Sequence, residues 1–362
     1  MGNSLGKLFT ITSFGESHGN CMGIVVDGCP AGLPLTEADI QQEVARRRPG
    51  AVGTTERWEP DKVEIISGVY DGHSTGAPIA MLSWNKDVDS GVYKKNRFAL
   101  RPGHADYTAF VKYGGFNDFR GGGRFSGRIT LACVMAGAIA KKLLGRLGID
   151  VFAHTVEIGG IKARAQALSD IKEKARENSL WCADPEAAEK MARLIEQTRE
   201  EKDSIGGIIE GIALNVPAGL GEPVFDNFDG ELAKALFAIP AVKGVAFGAG
   251  FAVASMKGSE NNDLYDIKDG KIVTRTNNAG GVLGGISTGM PVIVRVAVKP
   301  TASIARSQET VDIEKMVKTS LAVMGRHDTC IVPRAVPGVE AMLAVTICDF
   351  ARRAGFIPGV LS

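Results

Sequence analysis

The residues between Arg101 and Thr130 carry the densest chemistry in the chain. Arg101-Pro102-Gly103-His104-Ala105-Asp106-Tyr107 is followed by Lys112-Tyr113-Gly114, then by Asp118-Phe119-Arg120-Gly121-Gly122-Gly123-Arg124-Phe125-Ser126-Gly127-Arg128. A histidine, two acids and five cations stand among glycines, ahead of a long apolar run. Glycine costs conformational entropy on folding, so a dense Gly/Arg loop is hard to explain as scaffold. Glycines let backbone N–H groups approach an anion closely, and arginines grip phosphate or carboxylate with paired hydrogen bonds. The expected ligand is anionic.

Four other loops hold residues of the same kind. Gly15-Glu16-Ser17-His18-Gly19 follows a predicted strand, and its histidine alone reads more readily as structural than as catalytic. Arg46-Arg47-Arg48-Pro49-Gly50 ends a predicted helix, where cations also suit the helix dipole. Asn277-Asn278-Ala279-Gly280-Gly281-Val282-Leu283-Gly284-Gly285-Ile286 leads to Lys299-Pro300-Thr301-Ala302-Ser303-Ile304. A lysine and two hydroxyls in a rigid turn suit a terminal phosphate, although each segment in isolation also reads as an ordinary loop. Gly325-Arg326-His327-Asp328-Thr329-Cys330 is either a solvated turn or a proton-transfer site. The glycines before Arg124 do not fit G-x-G-x-x-G, because Ser126 occupies the third position after Gly123 and no strand precedes them. No G-x-x-x-x-G-K-[ST] occurs, whereas Ser126 at a helix start offers a dipole-favoured anion site.

The bulk composition is that of a soluble globular chain. With 362 residues, 44% of them hydrophobic and 23% charged, it has ample core for one large domain or two ordinary ones. A net charge of +1 argues against a general nucleic-acid or membrane footprint, so an anion site must come from local clustering. The first residues lack a secretory pattern, and the most apolar stretch, residues 129–140, is too short to span a bilayer. Six scattered cysteines without a C-x-x-C pair read as reduced thiols in a cytoplasmic protein, with no metal expected.

Several elements must position these loops. Residues 8–12, 22–26, 63–66 and 79–82 read as strands. A helix follows Thr36 through Arg46, with Asp39 in a capping-box variant and Ile40 and Val44 on one face. Ser126 is the expected N-cap of a helix reaching about Leu147, apolar nearly all round in its first half and therefore central. From Ile208 to Val216 one face carries Ile208, Glu210, Ile212, Leu214 and Val216. The other carries Ile209, Gly211, Ala213 and Asn215, mostly small or polar, which suits a strand with one wetter face. Asp184-Pro185 opens another helix, and further helices are expected after Thr310 and Pro337. Strands and helices in mixed order favour an α+β layered fold over a doubly wound one.

Taken together the loops resemble one family. Gly-Glu-Ser-His-Gly, Arg-Arg-Arg-Pro-Gly, Arg-Pro-Gly-His-Ala-Asp-Tyr, Gly-Gly-Gly-Arg, Lys-Pro-Thr and Gly-Arg-His-Asp occur in the order found in the chorismate synthase family. The resemblance runs from Gly6 to about Ala351. It implies a β-α-β sandwich, with antiparallel sheets around central helices, as a single domain over residues 1–362 and a homotetramer. It also implies reduced-FMN-dependent anti-1,4-elimination of phosphate from 5-enolpyruvylshikimate 3-phosphate, the last common step toward the aromatic amino acids. By the same resemblance His18 protonates the departing phosphate, His104 holds or protonates the reduced flavin, and Asp328 assists ring-proton uptake at the flavin. Arg124, Phe125, Ser126, Pro240, Ala241, Gly284, Lys299, Pro300, Thr301, Ala302, Ser303 and Arg326 line the FMN site. Arg47, Arg48, Arg57, Arg101 and Arg128, together with Arg326, form the anion cage for substrate or NADP. NADPH enters only if the enzyme reduces its own flavin.

The chain departs from the family pattern in places. Phe125 stands where the family has a serine, Gly127 and Ile129 replace an alanine and a glutamate, and Thr329 replaces a proline. Ala51-Val52-Gly53 occupies a stretch where many members carry another arginine, and residues 245–250 lack the customary acids. Two other readings compete: an FMN-dependent reductase, and an RGG-type RNA-binding protein built on Phe119–Phe125. Near-zero net charge and flanking regular structure argue against the RNA reading.

Overall fold

The computed structural model describes residues 2–47, 60–325 and 327–361; Arg48, Arg57 and Arg326 lie outside the described residues. Among the described residues, two five-stranded antiparallel sheets enclose a layer of helices. The first sheet runs Ser4–Leu5, Thr10–Gly15, Cys21–Asp27, Ile79–Trp84, Glu64–Ser67. The second runs Val242–Phe247, Val292–Val298, Gly207–Leu214, Asp150–Ile158, Ile161–Lys162. Between them lie a first central helix, Thr130–Gly145, and a second, Val332–Arg353, packed on each other. The first rests on strand Cys21–Asp27 and the second on Asp150–Ile158 and Gly207–Leu214. This is the α+β layered sandwich that the mixed element order predicts.

The central helices are apolar on nearly every side because each meets both a helix and a sheet. Residues 130–140 of the first are all buried except Cys133, which is half-buried. The helices approach closely at Gly137, where an added Cβ would stand 2.4 Å from that of Ala341. Strand Gly207–Leu214 corrects the expectation of a wetter face. Ile209 and Ala213 are fully buried, and a Cβ on Gly211 would lie 2.5 Å from Leu343 Cδ1. The small residues are there because the second central helix comes close, and the opposite face covers Ile212 beneath Ile171 and Ala175.

Local signals hold at several ends. Asp39 Oδ2 accepts the Thr36 backbone N–H at 2.8 Å, and Ile40 and Val44 are buried as the periodicity requires. Asp184 accepts the N–H groups of Glu186 and Ala187 at the start of helix Pro185–Glu200. Three expectations fail for long-range reasons. The strand expected over residues 8–12 begins at Thr10, because Asp349 Oδ1 accepts the N–H groups of Lys7, Leu8 and Phe9 at 2.9, 2.7 and 2.9 Å. No helix follows Thr310: Gln308–Asp312 pairs with Val317–Leu321 as a hairpin. That hairpin also takes up the 98–100 segment, with Leu100 N–H donating to Val311 and Ile313 N–H to Phe98. The helix expected after Pro337 starts at Val332 and carries Pro337 as its sixth residue, past the first turn, so one backbone bond of the helix is lost there.

A buried ion network ties the layers. Glu340 of the second central helix is 1% exposed and accepts two bonds from Arg46, at 2.6 and 2.7 Å, and one from Lys141 at 3.0 Å. It also accepts the Ala153 backbone N–H at 3.1 Å, while Glu43 bonds the same two cations. Burial alone would raise the Glu340 carboxyl, but Lys141 and Arg46 outweigh it and hold the group at about 2.

Candidate functional site

The chemistry-bearing loops converge on one cleft of about 730 Å³. It opens where the Gly15–Gly19 turn, the 101–108 segment and the start of the first central helix meet the 237–243, 299–303 and 324–335 segments. His18, His104, Asp328, Arg124, Phe125, Ser126, Pro240, Ala241, Lys299, Thr301, Ala302, Ser303, Arg47, Arg101 and Arg128 all line it. Gly284 and Pro300 do not: Gly284 sits at the turn between Val282–Leu283 and Ile286–Ser287.

Three consecutive glycines separate the two histidines. Gly121, Gly122 and Gly123 have φ of +57°, +81° and +52°, a conformation natural to glycine. A Cβ on Gly121 would lie 2.2 Å from His18 Cδ2 and 2.5 Å from Nε2; one on Gly122 would lie 3.0 Å from His104 Nε2. The glycines are therefore required by the neighbouring imidazoles as well as by the backbone. His18 is buried, with Nδ1 2.9 Å from Ser90 Oγ and the ring edge-on to Tyr93.

His104 Nδ1 lies 2.8 Å from Asp106 Oδ1 and 3.1 Å from Arg101 Nη2; the shorter contact, to an acceptor, favours the proton on Nδ1, with Nε2 toward Gly122. Asp106 also takes two bonds from the Arg101 guanidinium, at 2.6 and 2.8 Å, and one from the Arg101 backbone N–H at 3.0 Å. Burial would raise the Asp106 carboxyl, yet Arg101 and His104 pull it far below the usual range. Burial, aided by the charges of Arg101 and Lys299, lowers His104 despite Asp106. These surroundings favour the neutral imidazole.

The cationic wall is strained in the same sense. Arg47 is 3% exposed, donates to Thr130 Oγ1 and to the Gly127 carbonyl at 2.8 Å each, and leaves Nη1 without a partner among the described residues. Burial, and then the charge of Arg334, brings it down to about 9. Burial and Lys243 lower Lys299, whose ammonium donates to the Gly103 carbonyl. Arg128 is fixed by Asn85 at 2.7 Å and Asp61 at 2.9 Å. Crowded, poorly solvated cations of this kind are relieved by an incoming anion.

Arg124 stands apart from the other cations. Its guanidinium donates to the Gly15 carbonyl at 3.0 Å and to Ser13 Oγ at 2.7 Å, tying the glycine run to strand Thr10–Gly15. Ala241 has φ of +72°, a costly backbone for alanine, and its carbonyl accepts the Lys299 N–H at 2.9 Å. Phe125 lies in the wall with its ring 6.5 Å from that of Tyr113.

Sequence reading missed Tyr93, Ser90, Asn85, Asp61 and Arg334. The polar run Asn85-Lys86-Asp87-Val88-Asp89-Ser90 at the end of a buried strand is a signal that could have found Asn85 and Ser90. Arg334 donates to Asp328 Oδ1 at 3.1 Å and Oδ2 at 2.8 Å from the first turn of the second central helix.

The lining joins apolar surface (Phe125, Ile129, Ile239, Ile331) to a cationic wall, and its size and mixture suit a planar aromatic cofactor with a phosphate beside a small polyanion. Comparison with known proteins gives one family. A family model described as chorismate synthase matches residues 9–351. A chorismate synthase of Dehalococcoides mccartyi is 57% identical over 362 residues, covering all of both chains. One of Korarchaeum cryptofilum is 53% identical over 353 residues, 97% of this chain and 98% of its own. A solved structure described as the crystal structure of chorismate synthase superposes with a TM-score of 0.77 at 32% identity, covering 96% of this chain and 93% of its own.

Proposed function

This chain belongs to the chorismate synthase family, and on that premise we propose that its cleft carries out the anti-1,4-elimination of phosphate from 5-enolpyruvylshikimate 3-phosphate, giving chorismate. The supporting observation is the placement of His18 and His104 on either side of Gly121–Gly122 in a cleft walled by Arg47, Arg101, Arg128 and Lys299. The substrate carries two carboxylates and a phosphate, so it matches a wall of crowded cations.

In this reading His18 delivers a proton to the departing phosphate, with Ser90 and Tyr93 fixing its ring. His104, held toward the neutral form by burial and by Arg101 and Lys299, gains a proton as the substrate's anionic groups offset those cations. Asp106 keeps that histidine in one tautomer. Asp328, gripped by Arg334, assists ring-proton uptake at the flavin. Reduced FMN, when bound, would lend electron density to the breaking C–O bond; Phe125, Ser126, Pro240 and Ala241 would flank it, and Lys299, Thr301, Ala302 and Ser303 would hold its phosphate. A single domain of residues 1–362, a homotetramer, a cytoplasmic location and NADPH as reductant belong to the same proposal. The reductase and RNA-binding readings draw no support from the family. In addition, the Phe119–Phe125 run is folded against the two histidines.

The direct test is anaerobic turnover with photoreduced FMN, with and without NADPH. Steady chorismate formation with catalytic flavin is expected, and stoichiometric flavin consumption would sink the assignment. His18→Ala and His104→Ala should each lower turnover at least about tenfold with unchanged melting, the low end of general-acid effects. Unchanged turnover in both would refute their roles. Phe125→Ser should weaken FMN binding about three- to tenfold in a fluorescence titration, the range of one aromatic contact. Equal or tighter binding overturns the idea that this ring packs on the flavin.

A further inference from the structure

Arg334 is a cleft-lining cation outside the set that the family motifs supply. It is placed by the second central helix, whereas Asp328 belongs to the loop leading into that helix. One guanidinium nitrogen, Nη1, reaches both carboxylate oxygens of Asp328, at 3.1 and 2.8 Å. Both side chains are largely buried, at 17% and 11% exposure, so their attraction is weakly screened. Arg334 Nε is buried and has no partner among the described residues. A side chain that fixes one carboxylate through one nitrogen, from a rigid helix, is built to orient that carboxylate.

We propose that Arg334 is a positioning residue for the elimination, acting through Asp328 by fixing the direction its carboxylate presents to the cleft. The proposal rests on the reading of Asp328 given above. It separates Arg334 from Arg47 and Arg128, which have Thr130, Gly127, Asn85 and Asp61 as partners and contribute positive charge to the cleft.

A four-protein cycle tests it: the wild type, Asp328→Asn, Arg334→Gln and the double variant, assayed anaerobically with reduced FMN. Arg334→Gln should lower kcat at least about tenfold while the substrate KM moves less than about threefold, the pattern of a group acting through the reacting step. The double variant should lie within about twofold of Asp328→Asn alone, because coupled residues are not additive. Arg334→Lys, which keeps a charge but loses the planar fork, should recover part of the loss. The dissociation constant of reduced FMN, measured across the same four proteins, should show the same non-additivity. Additive losses, or a raised KM with kcat intact, would make Arg334 an independent binding cation and overturn the proposal. A fall in melting temperature that Arg334→Lys does not restore would make it structural and overturn it too. If Asp328→Asn leaves turnover unchanged, the role of Asp328 fails along with it, an outcome distinct from additivity.

Discussion

Gly121→Ala is expected to lower turnover by about a hundredfold in a protein that remains folded, since a displacement near 1 Å of a reacting group can cost that much. The new methyl would stand 2.2 Å from His18 Cδ2, well inside contact distance. The ring has little room to retreat, because Ser90 holds Nδ1 and Tyr93 packs against it nearly perpendicular, with centroids 5.2 Å apart. The backbone at φ of +57° adds a cost of about 1–2 kcal/mol for any residue with a Cβ, too small to unfold a chain of this size. Gly122→Ala provides the internal comparison. Its methyl would lie 3.0 Å from His104 Nε2, where a few tenths of an ångström of movement suffice, so its loss should be smaller. Turnover of Gly121→Ala equal to that of the wild type, or a reversed order of the two variants, removes the case for the glycines as spacers between the histidines.

The second large effect concerns stability. Glu340→Gln should cost about 3 kcal/mol at pH 7 and lower the melting temperature by about 5 °C, the consequence of leaving two half-buried cations with one carboxylate fewer. Glu43 still bonds Arg46 and Lys141, which keeps the loss below that of a fully orphaned pair. The folded Glu340 carboxyl sits at about 2, against an ordinary value of 4.5. A lowered carboxyl contributes its full stability above the ordinary value and loses it as pH falls toward the folded one. The gap between wild type and variant should therefore be complete at pH 7 and shrink to less than half by about pH 3. Melts at those two pH values check it, and a gap that does not narrow would contradict the assignment.

How far the site was legible in the sequence depends on the kind of residue. Loops whose chemistry is local announced themselves: Gly121–Gly123 by composition, His104 with Asp106 by adjacency, Lys299 with Ser303 by a short turn. Capping was legible for the same reason, as at Thr36 with Asp39 and at Asp184. Residues that matter through a distant partner were silent. Nothing near Arg334 says that it meets Asp328, nor does anything near Gly211 say that a helix lies over it. Thr310 looked like a helix start because Thr-Val-Asp-Ile-Glu-Lys satisfies a local pattern, yet pairing with Val317–Leu321 and the 98–100 segment prevails. Arg124 illustrates the converse: its motif was conspicuous, but its donors hold strand carbonyls and a serine hydroxyl.

The Asp349 carboxylate that gathers the N–H groups of Lys7, Leu8 and Phe9 lies some 340 residues downstream of them. As the chain leaves the ribosome these three donors are made long before their acceptor, so the bend between Ser4–Leu5 and Thr10–Gly15 is held only by local strand pairing until the second central helix is made. His18 stands in the turn just after that strand, while Asp328 and Arg334 of the same cleft come with the second central helix and the loop before it, so the cleft cannot be complete before that helix exists.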